Sequence, residues 1–344
     1  MATIRLNDST VLSEFNRPYI VAEINTSHFG NMGIAKEMID QAKKAGCDCV
    51  KFQSWSAKSL YSKSYYDENP IAKRFVKKFA FSEAELSEVA EYSRKSGIAF
   101  SSTPYSREEV DFLLEKCNVP YIKVASMDLN NYPYLDYIAR SGAPIVLSTG
   151  MGELEEIQKA VVTIEETGNK NLCLLHCISI YPPETSTICL KNILGLRESF
   201  PEYSIGFSDH SMGTEMASAA VALGACMIEK HFTLDQTKIG MDNQMASEPE
   251  EMALLVRNCH NVQIALGDTK RVVLPAEMEQ RTSIRRSIIA TKDLKAGTKL
   301  TAEDLDVKRP GTGLPPDKIA EMIGKTLLRN IEGDTLITEA DIYE

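Results

Sequence analysis

Eight short apolar runs recur along the chain, at 19–23, 49–53, 99–104, 121–126, 144–150, 172–177, 204–209 and 227–232. Each reads as a buried strand, and the stretches between them carry helix signals. Ile34, Met38, Ile39 and Ala42 fall at helical spacing, and Ser82 with Glu85 and Ser106 with Glu109 match the capping box. Strand-then-helix repeated eight times predicts parallel strands, and eight of them most often close into an α/β fold of the (β/α)8 TIM-barrel type. An open doubly wound sheet is the alternative. It usually carries a glycine-rich turn after its first strand, and Glu23-Ile-Asn-Thr-Ser-His28 is unlike one.

The pattern changes at both ends. Runs at 3–6 and 10–12 flank Asn7-Asp8-Ser9, a hairpin placed to close the barrel's bottom. The barrel domain spans 1–267. The stretch 268–284 is polar without clear periodicity and reads as a linker. Beyond it, 295–305 resembles 331–342, so a small, mostly-β domain of two related halves is expected over 285–344.

Composition is that of a globular protein, with 43% hydrophobic and 25% charged residues. A net charge of −10 argues against nucleic acid or an anionic membrane as the main partner, so an anionic substrate needs a local cationic cluster. The polar start is unlike a signal peptide, and no run approaches a membrane span. Eight cysteines without zinc-ribbon spacing read as reduced core residues, and the compartment as cytoplasm.

In a parallel barrel the chemistry sits where strands end. Those ends supply Glu23, Lys51, Gln53, Thr103, Lys123, Ser126, Asp128, Ser148, His176, Ser179, Tyr181, Ser208, His210 and His231. His210 and His231 end neighbouring strands, which favours a shared divalent metal with Glu23 nearby as ligand or second shell. Without a zinc spacing, an open Mn²⁺ site is expected, with Mg²⁺ or Co²⁺ as alternatives. His176 reads as satisfied within the wall, and His260 as helix packing. Lys51 and Lys123, with Thr103, Ser126, Ser148 and Ser208, can surround a phosphate or carboxylate. Two other readings stay open: each lysine neutralises a carboxylate such as Glu23 or Glu229, or one is a Schiff-base nucleophile.

These residues fall in motifs that resemble the sialic acid synthases, which make N-acetylneuraminic, legionaminic and pseudaminic acids. The marks run nearly end to end: Ala22-Glu-Ile-Asn25, Lys51-Phe-Gln53, Ser102-Thr-Pro-Tyr105, Lys123-Val-Ala-Ser126 and Leu147-Ser-Thr-Gly-Met151. They continue with His176-Cys177, Gly206-Phe-Ser-Asp-His210, Glu229-Lys-His-Phe232 and Lys308-Arg-Pro-Gly311, and the last segment looks like the antifreeze-like (SAF) module of those enzymes.

The resemblance implies condensation of phosphoenolpyruvate with the open-chain aldehyde of an N-acyl amino sugar, giving a nine-carbon 2-keto acid and phosphate. N-acetylmannosamine is the first expectation, and a 2,4-diacetamido-2,4,6-trideoxyhexose the alternative. By the same resemblance His210 and His231 bind the metal. Lys51, Thr103, Lys123, Ser126, Ser148 and Ser208 hold phosphoenolpyruvate, and Glu23 serves catalysis by orienting water or stabilising a cation. Gln53, Tyr105, Asp128, Ser179, Tyr181 and Asp242 face the sugar, and Arg309 reaches it from the other subunit of a domain-swapped homodimer. Two departures fall on the sugar side. Asp128 stands where Glu is usual, and Ile178-Ser179 where threonine and often asparagine are expected.

A non-catalytic ice- or glycan-binding protein is the alternative of another class. Lys292, Lys295, Lys299, Lys308 and Arg309 charge the small domain more than an ice-binding face allows. Barrels that condense phosphoenolpyruvate with phosphorylated sugars compete within enzymes. Those need a second phosphate site, usually built from arginine, and the barrel strand ends contain none.

Overall fold

The computed structural model describes residues 2–343. The chain divides into two compact units, Met1–Gly267 and Asp268–Glu344.

The first unit opens with an antiparallel hairpin, β1 (Thr3–Arg5) and β2 (Val11–Ser13), whose Ile4 and Leu12 pair in register. Eight strands follow: β3 (Tyr19–Glu23), β4 (Cys49–Gln53), β5 (Ala99–Thr103), β6 (Ile122–Val124), β7 (Ile145–Ser148), β8 (Leu172–Cys177), β9 (Ser204–Asp209) and β10 (Met227–His231). They form one parallel sheet in the order β5-β4-β3-β10-β9-β8-β7-β6, so the first and last βα units are joined through β3 and β10. β5 and β6 face each other to close the barrel, with the Ser101 hydroxyl donating to the Tyr121 carbonyl at 3.4 Å. β6 is shorter than its apolar run because Ser126–Asp128 turns into a 3-10 helix.

Alternation along each strand explains where the site lies. Outward residues such as Ile20, Val50, Phe52, Ile122, Ile145, Leu174 and Phe207 are buried under the surrounding helices. Inward residues at the strand starts, Tyr19, Val21, Cys49, Tyr121, Val146, Cys173 and Met227, pack with Ile4, Leu6 and Leu12 of the hairpin, which plugs that end. The next inward positions are Glu23, Lys51, Lys123, Ser148, Ser208, Glu229 and His231. The interior therefore passes from apolar to ionic along its axis. Gly206 on β9 lets this filling close up, since a Cβ there would stand 2.5 Å from Leu175 Cδ2 and 2.8 Å from the Met227 carbonyl.

The expected helix over Ile34–Ala42 is Met32–Ala45, with Met38, Ile39 and Ala42 buried. The Ser82–Glu85 capping box is formed. The Ser106–Glu109 box is formed by half. Ser106 accepts from the Glu109 amide, but the Glu109 carboxylate takes the Tyr105 amide at 2.7 Å and the Ser59 hydroxyl at 2.6 Å. It thereby anchors the loop that carries Tyr105.

The second unit begins in the stretch expected to be a linker, and there the structure departs from the sequence reading: Pro275–Ile284 is a helix. None of its residues is buried, so no apolar period marks it. Its signals are Pro275 at the first helical position and Glu277, whose carboxylate caps the Leu274 amide at 3.2 Å. β11 (Ser287–Ala290) and β12 (Leu305–Lys308) pair antiparallel over a core that includes Ile288, Leu300, Leu314, Leu327 and Ile337. The internal repeat is physical. Thr301 with Asp304 and Thr338 with Asp341 make the same capping box, joined by Lys292 and Arg329 in turn.

No described helix is long and apolar enough to cross a membrane. The eight cysteines are free, and all but Cys189 are buried.

Candidate active site

The carboxyl ends of the barrel strands surround a cleft of about 240 Å³, lined by nearly all the residues singled out from the sequence. Its floor is an ionic lattice. Lys51 Nζ lies 2.5 Å from Glu23 Oε2 and 3.8 Å from Glu229 Oε2, and donates to Thr103 Oγ1 at 3.0 Å. Lys123 Nζ donates to Ser148 Oγ at 2.8 Å and lies 3.5 Å from Glu229 Oε1, which also accepts from Ser208 at 3.2 Å. The lysines thus neutralise carboxylates and still line the cleft, so those two readings are compatible.

Burial sets the charges. It pushes Glu23 up to about 7, helped by Glu229 and opposed by Lys51. Burial works against charge on Lys51 too, but Glu229 and Glu23 outweigh it and hold this amine above its usual range. Lys123 is buried with less compensation from Glu229 and is pushed down. Glu229, though buried, is held low by Lys123 and Lys51. It is the ionised carboxylate of the floor, and Glu23 is the one that can carry a proton near neutrality.

Above the floor stand His210 and His231, ring centroids 5.5 Å apart, with the Tyr181 ring 4.2 Å from His210 and edge-on to His231 at 6.0 Å. Burial lowers both imidazoles below their usual range, His231 the further because His210 adds to it. His210 Nδ1 donates to the Ile178 carbonyl at 2.7 Å, which leaves Nε2 as the unprotonated nitrogen, 3.5 Å from the Ser208 hydroxyl. Two neutral imidazoles, one oriented through its far nitrogen, suit a divalent ion. Among the described residues no group of three or more His, Cys, Asp or Glu could hold a metal, so the pair fits an open site and not a closed one. Glu23 is engaged by Lys51 and by Gln53 Nε2 at 3.0 Å.

The wall carries Gln53, which accepts from the Tyr105 hydroxyl at 3.1 Å and from Trp55 at 2.7 Å, and Asp242, which accepts from Asn25. Ser126 accepts from the Gly150 amide at 3.1 Å. A Cβ on Gly150 would meet Ser179 Oγ at 2.3 Å and Ser126 Oγ at 2.8 Å, so only glycine lets these two hydroxyls converge.

One expected residue lies elsewhere. Asp128 does not line the cleft. Its half-buried carboxylate accepts from Asn131 at 3.0 Å inside the turn that ends β6, and its charge reaches Tyr105. Arg309 belongs to the second unit, exposed directly after β12. His176 sits in the wall with Nε2 2.8 Å from the Ile188 carbonyl, and His260 is half-buried on its helix. Sequence reasoning weighed Glu229 only as a partner for lysine, although it alternates with His231 on β10 and so had to face inward. Cys177, Met127 and Met151 also line the cleft unforeseen.

Residues 38–271 match the NeuB family and residues 285–342 the SAF domain. The chain belongs to the NeuB family. The N,N'-diacetyllegionaminic acid synthase of Campylobacter jejuni is 36% identical over 93% of this chain and 98% of its own length. The N-acetylneuraminate-9-phosphate synthase of Homo sapiens is also 36% identical, over 93% and 91%. The crystal structure of the N-acetylneuraminic acid synthetase from Leptospira borgpetersenii, in complex with citrate, superposes with a TM-score of 0.73 at 33% identity, covering 81% of this chain and 95% of that one. Membership in this NeuB group gives the chain a synthase function of the sialic-acid type.

Proposed function

We propose that this NeuB-family synthase condenses phosphoenolpyruvate with the aldehyde of an unphosphorylated N-acyl amino sugar, N-acetylmannosamine first among them, and releases phosphate by C–O cleavage. The observation that carries this reading is the layering of the cleft, with two buried lysines and four hydroxyls below a pair of neutral imidazoles. Lys51 and Lys123, with Thr103, Ser126, Ser148 and Ser208, receive the phosphate and carboxylate oxygens by charge-assisted and hydroxyl hydrogen bonds. His210 and His231 would hold a divalent ion, Mn²⁺ in the first instance, which would supply Lewis-acid polarisation of the sugar's aldehyde oxygen.

The remaining chemistry falls to the chain. C3 of the enol adds to the aldehyde carbon, and C2 becomes cationic above Glu23 and Glu229. Glu229, held ionised, stabilises that charge across the floor. Glu23, with a proton affinity matched to neutral pH, orients water toward C2 and accepts its proton. Phosphate then leaves with the oxygen that bridged it to C2 and takes the proton of the new C2 hydroxyl, which becomes the ketone, while the former aldehyde oxygen takes up the proton that Glu23 accepted. Gln53, Tyr105, Ser179, Tyr181 and Asp242 orient the sugar.

The sugar is unphosphorylated because the cations lining the cleft, Lys51 and Lys123, both stand at the floor against carboxylates. Arg309 completes the site from the partner subunit of a homodimer, and the reaction belongs to the cytoplasm. Phosphate release is the test, with phosphoenolpyruvate and N-acetylmannosamine, its 6-phosphate, or 2,4-diacetamido-2,4,6-trideoxy hexoses. Turnover with an unphosphorylated sugar supports the reading. Turnover with the sugar phosphate alone refutes this choice of substrate.

A further inference from the structure

Asp209 and Lys230 form an ion pair with no solvent exposure on the outward side of the barrel wall, and the reaction above does not use them. Lys230 Nζ donates to Asp209 Oδ2 at 2.9 Å. The two residues are register partners on β9 and β10. Each immediately precedes an imidazole: Asp209 stands before His210 and Lys230 before His231. Side chains alternate along a strand, so a link on the outer face fixes the strands from which the inner pair projects.

The pair also holds the turn that begins at His210. Asp209 Oδ1 accepts from the Ser211 amide at 2.9 Å and from the Ser211 hydroxyl at 2.6 Å. Lys230 donates in addition to the Ser211 carbonyl. The backbone on either side of His210 is thus tied to one carboxylate and one ammonium, while its ring is tied through Nδ1 to Ile178. Apolar residues surround this knot, with Phe207, Ile228, Phe232 and Cys259 all buried. Apolar side chains of equal volume would hold two strands together at no loss of stability. What they would not supply is directional bonding to Ser211.

We propose that Asp209 and Lys230 are positioning residues that set the separation and orientation of the His210 and His231 rings, and thereby the affinity of the cleft for a divalent ion. The inference rests on the reading of the two imidazoles as a metal pair. It assigns the outer face of the wall the task of holding the inner face in a binding geometry.

The test is the double variant Asp209→Leu with Lys230→Met, which keeps the branching of the one side chain and the near length of the other and leaves no unpaired buried charge. Mn²⁺ binding to the full-length chain without substrate is measured by calorimetry, alongside thermal melting and phosphoenolpyruvate binding to the metal-free protein. The wild type binds Mn²⁺. The double variant folds but melts below the wild type, because the Ser211 amide, hydroxyl and carbonyl lose their partners. It keeps its phosphoenolpyruvate affinity and binds Mn²⁺ about tenfold or more weakly. Wild-type Mn²⁺ affinity in the folded double variant overturns the proposal and leaves the metal reading standing. Absence of Mn²⁺ binding to the wild type overturns the metal reading, and the proposal with it. Should the double variant not fold, Ser211→Ala removes only the hydroxyl donor to Asp209. It weakens Mn²⁺ binding by about threefold, and wild-type affinity there refutes the assignment.

Discussion

Glu23 and His231 stand in register on β3 and β10, the strands that join the first and last βα units of the barrel. A carboxyl pushed up to about 7 and an imidazole pushed well below its usual range are therefore neighbours. Near neutral pH both can be uncharged, and each then has a lone pair to use. Such separation of proton affinities among adjacent groups is how one site accommodates acid, base and ligand roles together.

The first prediction concerns pH. Water orientation by Glu23 needs its carboxylate, so kcat/KM climbs with pH through a midpoint near 7. Stability runs the other way. The folded protein keeps this proton up to about 7, against an ordinary 4.5, so the group's contribution to stability is full at low pH and is lost as pH rises through that window. The melting temperature of the wild type relative to Glu23→Gln should fall from pH 4.5 to 7. A flat difference would remove Glu23 as the titrating group. Turnover in Glu23→Gln should drop by about a hundredfold or more.

Metal dependence gives the second. His210→Ala or His231→Ala abolishes turnover and leaves the fold intact, because each ring faces the cleft and not a packed layer. Dialysis against a chelator does the same reversibly, with Mn²⁺ restoring activity. Full activity in metal-free protein would sink the assignment.

A third follows from the fate of one oxygen. Water attacks C2, so phosphoenolpyruvate labelled with heavy oxygen at the bridge yields labelled phosphate. Label found in the keto acid would mean P–O cleavage and a different mechanism.

The barrel was legible because most strands begin apolar and end polar on their inward face. Tyr19, Val21 and Glu23 show this on β3, and Met227, Glu229 and His231 on β10. A period of two carried to its end would have added Glu229 to the site. Pro275–Ile284 escaped because it buries no residue, and apolar periodicity reports only on faces that are buried. Asp128 was misplaced because the strand reading carried through a run whose ladder stops at Val124. From there the 3-10 turn carries the carboxylate to Asn131. The outward pair Asp209 and Lys230 was visible as charge inside two apolar runs, yet only their register joins them.

Asp128 carries the fourth prediction. It sits one step behind the cleft wall, and its charge adds to that of Glu23 on Tyr105. Asp128→Glu lengthens the carboxylate by a methylene and brings it toward the sugar side. The ratio of kcat/KM between N-acetylmannosamine and its 4-acylamino, 6-deoxy analogues should then change by about tenfold if a polar contact is made or lost. An unchanged ratio would leave Asp128 as a support for its turn alone.

The last prediction concerns Arg309, exposed after β12 in the second unit and proposed to act on the partner's barrel. A guanidinium can hydrogen-bond the N-acyl oxygen of the sugar and cover the cleft together, which a lysine does less well. His231→Ala and Arg309→Ala are each inactive alone. Their subunits are dissociated, mixed in equal amounts and reassociated. In a mixed dimer the Arg309→Ala barrel keeps both imidazoles and receives a normal arginine from its partner, so one site is whole. Random pairing makes about half of the dimers mixed, and about a quarter of wild-type activity returns if the assembly is twofold. An arginine acting on its own barrel leaves every site short of one element. Mixed dimers verified by mass spectrometry and still inactive would therefore refute the trans arrangement.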